Sequence, residues 1–419
     1  MLIDYSVTNY RSIREKQTLS LVAAPRLPRR ESTFRPIVGR DSLPELLKAA
    51  VVYGPNASGK SNVLRGLDAI RDIAVLPPTS TDDKLPVSPF RFDPALRTAP
   101  SVFELNFIAA ERRFRFTLAA TQDRIVREQL VEFPGGKETL LYSRAHDNST
   151  DKYIFGDQLE GGVAVHETWQ KTTSPRRLFL AQAVANSSED LQQLRAPLHW
   201  LHDNLLVLPA RSPMKMFARG MPFFSARHSH LNPAAIASFV RDLDIPITAL
   251  KFEELDMNSA SQDSSNLRER LLPSGDVKAQ LTHRSALGEA TFEFEEESEG
   301  TQNLIGFFFV WSLLREKMSP LHLVSIDELD TSLHPQIIAR LVKQHQQLEA
   351  PRQLIFTTHD THLMDTRILR RDQIWLTERD VNGATQLRSI HDFEGRESED
   401  IEKRYYEGRY RGLPILPES

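Results

Sequence analysis

The 419-residue sequence predicts an α/β fold with a mixed central sheet, an antiparallel β-subdomain and an inserted, mostly helical region. Three observations lead there. Short, mostly apolar runs at 49–53, 321–326 and 353–357 read as buried strands, and helical spacing follows the first two. Apolar and polar residues alternate at Phe103, Leu105 and Phe107, and again at Phe114, Phe116 and Leu118, as in an antiparallel meander. Residues 175–205 and 233–243 are helical in character.

In chain order, Ile3, Tyr5 and Val7 alternate with polar residues to give a first strand. A polar bend at Asn9–Ser12 follows, and Thr18–Val22 resumes an extended pattern. Pro25, Arg26, Pro28, Arg29 and Arg30 mark an exposed loop. The apolar run at 49–53 is stopped by Gly54-Pro55, after which Val63, Leu64, Leu67 and Ile70 have helical spacing. Proline-dense residues 77–100 form a linker, and Ala110–Arg112 is a polar turn of the meander. A Ser/Asn/Asp-rich stretch around 257–266 reads as a loop, and 335–348 as a helix. The expected division is 1–70 and 285–395 for the two halves of one head, 71–160 for its β-rich part and linker, 161–284 for the insertion, and 396–419 for a tail.

Composition narrows the function classes. With 40% hydrophobic and 26% charged residues, the chain has the make-up of an ordinary folded domain. A net charge of −4 carries no global signature of polyanion binding, so any basic surface must be local. The absence of cysteine excludes disulfides, thiol catalysis and a cysteine zinc site, and suits a reducing compartment. The longest apolar stretches, such as 304–314, fall short of the roughly 20 residues a membrane helix needs. The opening residues lack a charged-then-apolar leader. The expectation is a cytoplasmic protein with no membrane partner.

The strongest motif is Gly54-Pro55-Asn56-Ala57-Ser58-Gly59-Lys60-Ser61, which satisfies GxxxxGK[ST] in full. Glycines let the backbone curl so that successive N–H groups face phosphate oxygens, and the following helix start adds a positive field. Lys60 is expected to reach the β- and γ-phosphates of ATP, and the Ser61 hydroxyl to ligate Mg²⁺. Asn62 belongs to the same nucleotide-binding set. An ordinary glycine-containing turn is the alternative, and the flanking strand and helix argue against it.

A second motif closes the run at 323–326 with Asp327-Glu328. Carboxylates at a strand's carboxyl end suit a site outside the strand ends of an α/β sheet. Asp327 is expected to hold Mg²⁺ through water, and Glu328 to orient and deprotonate the attacking water, help worth about 10²–10⁴-fold in rate. A solvated acidic turn is the competing explanation. Its weight falls because Leu329-Asp330-Thr331-Ser332-Leu333-His334-Pro335 continues the motif, and a second apolar strand ends at His359-Asp360. His359 is then a candidate γ-phosphate sensor, the alternative being a structural histidine.

Phosphate loop, Asp-Glu strand, "ELDTSLHP" and "TTHD" stand in the order found in ABC-type ATPases, which the chain resembles. Their wording is similar to the SMC/RecF/OLD-like branch, and to the AAA ATPases of bacterial abortive-infection and antiphage operons. The opening Val7–Ile13 and the ending Glu407-Gly408-Arg409-Tyr410 resemble segments of that group. The resemblance spans roughly 1–70 and 285–395, and implies a P-loop NTPase head of the ABC type. It further implies that a signature segment of one protomer closes over the ATP of another. Here that segment is Ser298-Glu299-Gly300-Thr301-Gln302, with Ser298 and Gly300 touching the γ-phosphate in trans and Asp330 at the dimer seam. Transporters carry a glycine where Glu299 stands, and the acids Glu293, Glu295, Glu296 and Glu297 are a further departure. Taken alone, the segment equally fits an acidic helix cap. The glutamine loop is not placed; Gln122 and Gln129 are the candidates.

The resemblance implies ATP and Mg²⁺ as cofactors and a homo-oligomer, at least an ATP-dependent dimer. It suggests a sensor or scaffold in antiphage defence controlling a separate effector protein from the same operon, a nuclease being one candidate. About 60 residues follow His359, fewer than a typical domain, so an appended nuclease is not expected. The alternative is a RecF-like repair or recombination ATPase acting directly on DNA; a transporter subunit fits less well. Arg211, Lys215, Arg219 and Arg227 interleave with Phe217, Phe223 and Phe224, a pattern that can grip nucleic acid, although a solvated loop is the favoured reading. The tail Lys403-Arg404-Tyr405-Tyr406 through Arg411 poses the same choice, and a docked terminal helix is favoured over a binding site.

Overall fold

The computed structural model describes residues 1–39, 42–76, 80, 83–147, 149–188, 191–210, 233–243, 245–254, 277–316, 319–395 and 399–413. Arg211, Lys215, Arg219 and Arg227, their interleaved phenylalanines and the stretch at 257–266 lie outside the described residues. Two compact units divide the chain. The first comprises 1–209, 320–329 and 339–419; the second comprises 210–319 and 330–338.

The first unit contains two large sheets. One is antiparallel and seven-stranded, in the order β10-β9-β8-β7-β6-β1-β2. Its strands are β1 (Leu2–Thr8), β2 (Gln17–Ser20), β6 (Ser101–Ala109), β7 (Arg112–Ala120), β8 (Ile125–Glu132), β9 (Thr139–Asp147) and β10 (Thr150–Phe155). The alternation that predicts the meander is real: Phe103, Leu105 and Phe107 are buried on one face, as are Phe114, Phe116 and Leu118 across the hairpin. Ala110 and Glu111 turn that hairpin with φ of 47° and 56°. Two left-handed residues give the turn a twist that matches its strands.

The other sheet runs β11-β15-β16-β5-β17-β18. It comprises β5 (Ala49–Tyr53), β11 (Leu205–Leu208), β15 (Leu323–Ile326), β16 (Gln353–Thr357), β17 (Ile374–Arg379) and β18 (Thr385–Ser389). The first five are parallel and β18 is antiparallel, so the mixed sheet expected from the sequence is the one observed. Every residue of β5, β15 and β16 is buried, which is why these strands read as apolar runs rather than alternating ones. Helix α1 (Lys60–Val75) buries Val63, Leu64, Leu67, Ile70 and Ile73 in a core cluster that both sheets share. Gln353, fully buried, stitches the two sheets: its Oε1 accepts from Leu2 N at 2.6 Å and its Nε2 donates to Leu2 O at 2.8 Å. A two-stranded piece, β3 (Thr33–Phe34) with β4 (Leu46–Leu47), completes the strands of this unit.

Segment 161–284 holds the helices α2 (Val163–Thr172), α3 (Phe179–Ala185), α4 (Arg195–His199) and α5 (Pro233–Asp242). It also holds β11, β12 (Ile247–Glu254) and β13 (Val277–Ser285), which the helical reading of this stretch did not include. Leu205–Leu208 is a four-residue apolar run at the end of a helical pattern, and periodicity alone does not separate such a strand from more helix. In the second unit, β12, β13 and β14 (Gly288–Glu293) form a three-stranded antiparallel sheet accompanied by α5 and α6 (Glu299–Arg315). Phe239 of α5 meets Phe308 of α6 at 5.2 Å between ring centroids. Helix α7 (Pro335–Gln346) spans both units in sequence, and α8 (Ile401–Tyr406) closes the described chain with Ile401, Tyr405 and Tyr410 buried. The tail is docked, as expected. No helix among the described residues is long and apolar enough to cross a membrane.

Candidate functional site

In the parallel part of the six-stranded sheet, the carboxyl ends of β15, β16, β5 and β17 lie along one edge. Three of the predicted features leave from that edge: Asp327-Glu328 from β15, His359 from β16 and the phosphate loop from β5. Residues more than 250 positions apart in sequence are thereby gathered by strand order alone.

The loop from Gly54 to Gly59 has the curled backbone its sequence implies, with φ of 149° at Gly54, 63° at Ala57 and 106° at Gly59. A Cβ at Gly54 would collide with Thr377 Oγ1 and O, and one at Gly59 with Thr385 Oγ1. Space as well as conformation therefore requires glycine at both positions. Hydroxyls clamp the loop from two sides. Ser58 Oγ lies 2.6 Å from Thr377 Oγ1, which donates to Tyr53 O at 3.0 Å. Asn62 Nδ2 donates to Ser12 Oγ at 2.7 Å, Ser12 Oγ meets Thr385 Oγ1 at 2.7 Å, and Thr385 Oγ1 donates to Ser58 O at 2.8 Å. Lys60 opens α1, and its Nζ donates to Gly54 O at 2.8 Å and Pro55 O at 3.1 Å. Ser61 follows, half-buried, at the same helix start.

A single threonine organises the acidic end. Thr357 Oγ1 donates to Asp327 Oδ1 at 2.7 Å and accepts from Glu328 N at 2.7 Å. Asp327 N donates to Leu208 O and Leu329 N to Thr357 O, so neighbouring strands on both sides hold the turn. Glu328 has φ of 55°. This left-handed conformation costs a non-glycine residue energy, so the surrounding hydrogen bonds must hold it; such strain concentrates at functional sites. Asp327 is buried, Glu328 half-buried and His359 exposed. The chain just past His359 is fixed by Tyr53, whose hydroxyl donates to Asp360 O at 2.9 Å.

The remaining candidates belong to the second unit. Ser298 caps α6, its Oγ accepting from Thr301 N at 3.2 Å. A Cβ on Gly300 would meet Ser332 O at 2.5 Å, so glycine allows the 330–333 turn to approach the helix start. Asn303 Nδ2 donates to Thr331 O at 3.3 Å, and Ser332, with φ of 60°, donates through Oγ to Glu299 Oε2 at 3.3 Å. Ser298, Gly300 and the turn that begins at Asp330 thus form one local constellation. The acidic run has structural partners: Glu296 Oε2 accepts from Glu293 N, and Glu297 Oε1 pairs with His283 Nε2 at 2.6 Å. Gln122 lies in the turn after β7, and Gln129, in β8, accepts from Arg127 at 3.1 Å. Neither lines the cleft at the phosphate loop.

Thr357, Thr377 and Thr385 were not among the candidates read from the sequence. Thr357 was within reach as the first threonine of "TTHD". The other two have no local signature, since their role comes from a hairpin more than 300 residues beyond the loop.

The donor chemistry fits the expected ligands. A glycine-dependent loop at a helix start, with a buried lysine, suits a polyphosphate. Ser61 and Asp327 offer the hard oxygens that Mg²⁺ prefers.

Fold and loop together define a P-loop ATPase. The chain belongs to the family described as "AAA domain, putative AbiEii toxin, Type IV TA system", which matches residues 49–365, from the first residue of β5 past His359. No protein of curated function matches it. Among solved structures, it is similar to the Smc head bound to the C-winged helix domain of ScpA, with 12% identity, 93% of this chain and 97% of that chain covered, and a TM-score of 0.47. It is also similar to the SMC head domain from Thermotoga maritima, with 12% identity, 93% and 98% covered, and a TM-score of 0.39.

Proposed function

We propose that this chain binds and hydrolyses ATP with Mg²⁺ as a dimerising sensor and scaffold in antiphage defence, and that it controls a separate effector protein. The observation that carries this reading is the gathering of phosphate loop, Asp327-Glu328 and His359 at one sheet edge, while Ser298, Gly300 and the 330–333 turn form their own constellation in the other unit.

In this reading, the loop N–H groups and Lys60 bind the phosphates, and the ammonium leaves its carbonyl partners Gly54 and Pro55 to do so. Ser61 and Asp327 would hold Mg²⁺, which would supply positive charge against that developing on the transferring group. Glu328 takes the proton of the attacking water, its backbone held in place by Thr357. His359 senses the terminal phosphate. Ser298 and Gly300 of a second copy, at a helix start, complete the site across a dimer, so ATP stabilises the assembled state and hydrolysis releases it. The family description, with its putative toxin and type IV TA system, supports the defence setting.

The test compares wild type with Glu328→Gln in ATP and Mg²⁺, following particle mass and phosphate release. The expected result is turnover by wild type and an assembled, ATP-loaded Glu328→Gln protein that releases little phosphate. Equal hydrolysis by both removes Glu328 from the role of base. Hydrolysis that appears only when DNA is added favours a repair-type ATPase over the defence scaffold.

A further inference from the structure

The phosphate loop, the end of β17 and the C-terminal segment line one cleft of about 850 Å³. Gly54, Asn56 and His359 share its lining with Glu378, Arg379, Tyr406 and Arg411. The tail is fixed in this place. Thr361 Oγ1, two residues past His359, donates to Glu402 Oε1 at 2.6 Å and lies 3.0 Å from Tyr406 OH. Tyr405 OH donates to Gly412 O at 2.9 Å, and successive left-handed residues at Arg411 (60°) and Gly412 (81°) turn the chain across the end of β17.

The two guanidinium groups in this cleft are weakly committed. The Arg411 side chain is 67% exposed, and its one ion pair among the described residues is a long contact of 4.0 Å to Glu378 Oε1. Glu378 has a second arginine, Arg388, at 3.9 Å. Among the described residues, no carboxylate lies within ion-pair distance of Arg379, which is exposed. Fork-shaped cations in one cleft with a backbone phosphate cradle suit a phosphoryl group, which guanidinium can bind through two parallel N–H bonds. The position selects which phosphate. Lys60 Nζ, the group expected at the β- and γ-phosphates, rests on Gly54 O and Pro55 O, residues that line this cleft beside His359.

We propose that Arg411, assisted by Arg379, binds the terminal phosphate of ATP from within the same chain, so that the C-terminal segment distinguishes ATP from ADP. The inference rests on the ATP-binding reading above. Through Tyr406 and Glu402, the same contact ties the tail to the segment that follows His359.

The experiment titrates ATP and ADP, each with Mg²⁺, into proteins carrying Glu328→Gln to prevent turnover. Arg411→Ala, Arg379→Ala, the double variant and Arg411→Lys are compared with the parent. The expected result is a loss of ATP affinity of about 10- to 100-fold in the double variant, with ADP affinity changed less than about twofold. Arg411→Lys is expected to recover part of the loss, since charge survives without the fork. Equal losses for both nucleotides, or no loss for either, overturn the proposal. Melting temperatures of the nucleotide-free variants check the fold, and Arg411→Gln replaces any variant that melts early. A parent protein that binds neither nucleotide overturns the ATP-binding reading itself, and this inference with it. A parent that binds both, with an unchanged ratio in the variants, overturns this inference alone.

Discussion

The two large sheets of the first unit bury apolar side chains in one shared core, yet they contribute very different things. The seven-stranded antiparallel sheet has long strands and alternating faces, and its buried charges are spent on one another. Arg144, 1% exposed, donates to Asp151 Oδ2 at 2.6 Å and 2.9 Å and to the carbonyls of Ser174 and Arg177. Glu128, equally buried, accepts from Phe179 N, Leu180 N and Tyr142 OH. Burial raises its carboxyl pKa against the lowering effect of Arg144. The six-stranded sheet has strands of four to six residues, apolar in their interiors, and its polar groups stand at one edge. A short buried strand holds its end rigidly while leaving that end open to ligand. The lesson is a division of labour: one sheet supplies a scaffold with self-satisfied charges, the other an edge that gathers the phosphate loop, the acidic turn and His359.

Two substitutions would sharpen or break that contrast. The largest effect is expected from Arg144→Ala, which takes the nearby cation from buried Glu128 and one cationic partner from Asp151, leaving Asp151 with Arg124 and His146. Breaking such a buried pair costs about 3–5 kcal/mol. Denaturant unfolding should show that loss, while nucleotide affinity of the folded protein stays within about twofold of wild type. A matching loss of affinity in folded protein would mean the sheets are not separable in function. Next comes Thr357→Val at the working edge. It removes the hydroxyl that serves both Asp327 and Glu328, with an expected fall in hydrolysis of about 10- to 100-fold. Stability should drop by only about 1–2 kcal/mol. A fully active Thr357→Val protein would show that the acidic turn holds its shape without this bond.

The smallest effect concerns acid. His345 is completely buried, with Nε2 2.9 Å from Lys48 O, and burial lowers its pKa from 6.5 to about 4. His322 is lowered to about 4 for the same main reason. Between those values the unfolded chain takes up protons that the folded chain refuses, so stability is lost as pH falls from about 6.5 toward 4. Asp68 acts in the opposite sense: burial raises its pKa from 3.8 to about 6, so the folded chain holds that proton and gains as pH falls through the same range. The Met1 amino group, lowered by burial from 8.0 to about 4, acts with the two histidines, and the raised carboxyls of Glu128 and Asp4 act with Asp68. With the amino group and both histidines refusing protons, the melting temperature should fall by on the order of a few °C between pH 7 and pH 5. His345→Gln, whose amide can still donate to Lys48 O, should lessen the fall. An unchanged slope in that variant would show that another group controls the acid response.

Much of the working edge was legible because its signals are local. Gly54 through Ser61 is eight consecutive residues, and each glycine answers a need of the loop itself. Asp327-Glu328 and His359 were legible for a related reason, since each directly follows an apolar strand. The six-stranded sheet was only partly visible: β11 merged into the helical pattern before it. The hydroxyl clamp and the arginine wall were not visible at all. Ser12, Thr377 and Thr385 are ordinary polar residues until the turn after β1 and the β17–β18 hairpin bring them to the loop. Nothing in the periodicity of 401–413 says which surface that segment covers.

The sequence by itself therefore determined the loop, the acidic strand end and the alternating sheet, because near neighbours and backbone sterics decide those features. Only the tertiary structure decided which strands stand side by side, that Thr357 serves two acids at once, and that Arg411 lines the same cleft as the phosphate loop. Those contacts join residues tens to hundreds of positions apart. Their partner is chosen by how apolar faces pack, and packing is a property of the whole chain rather than of any segment of it.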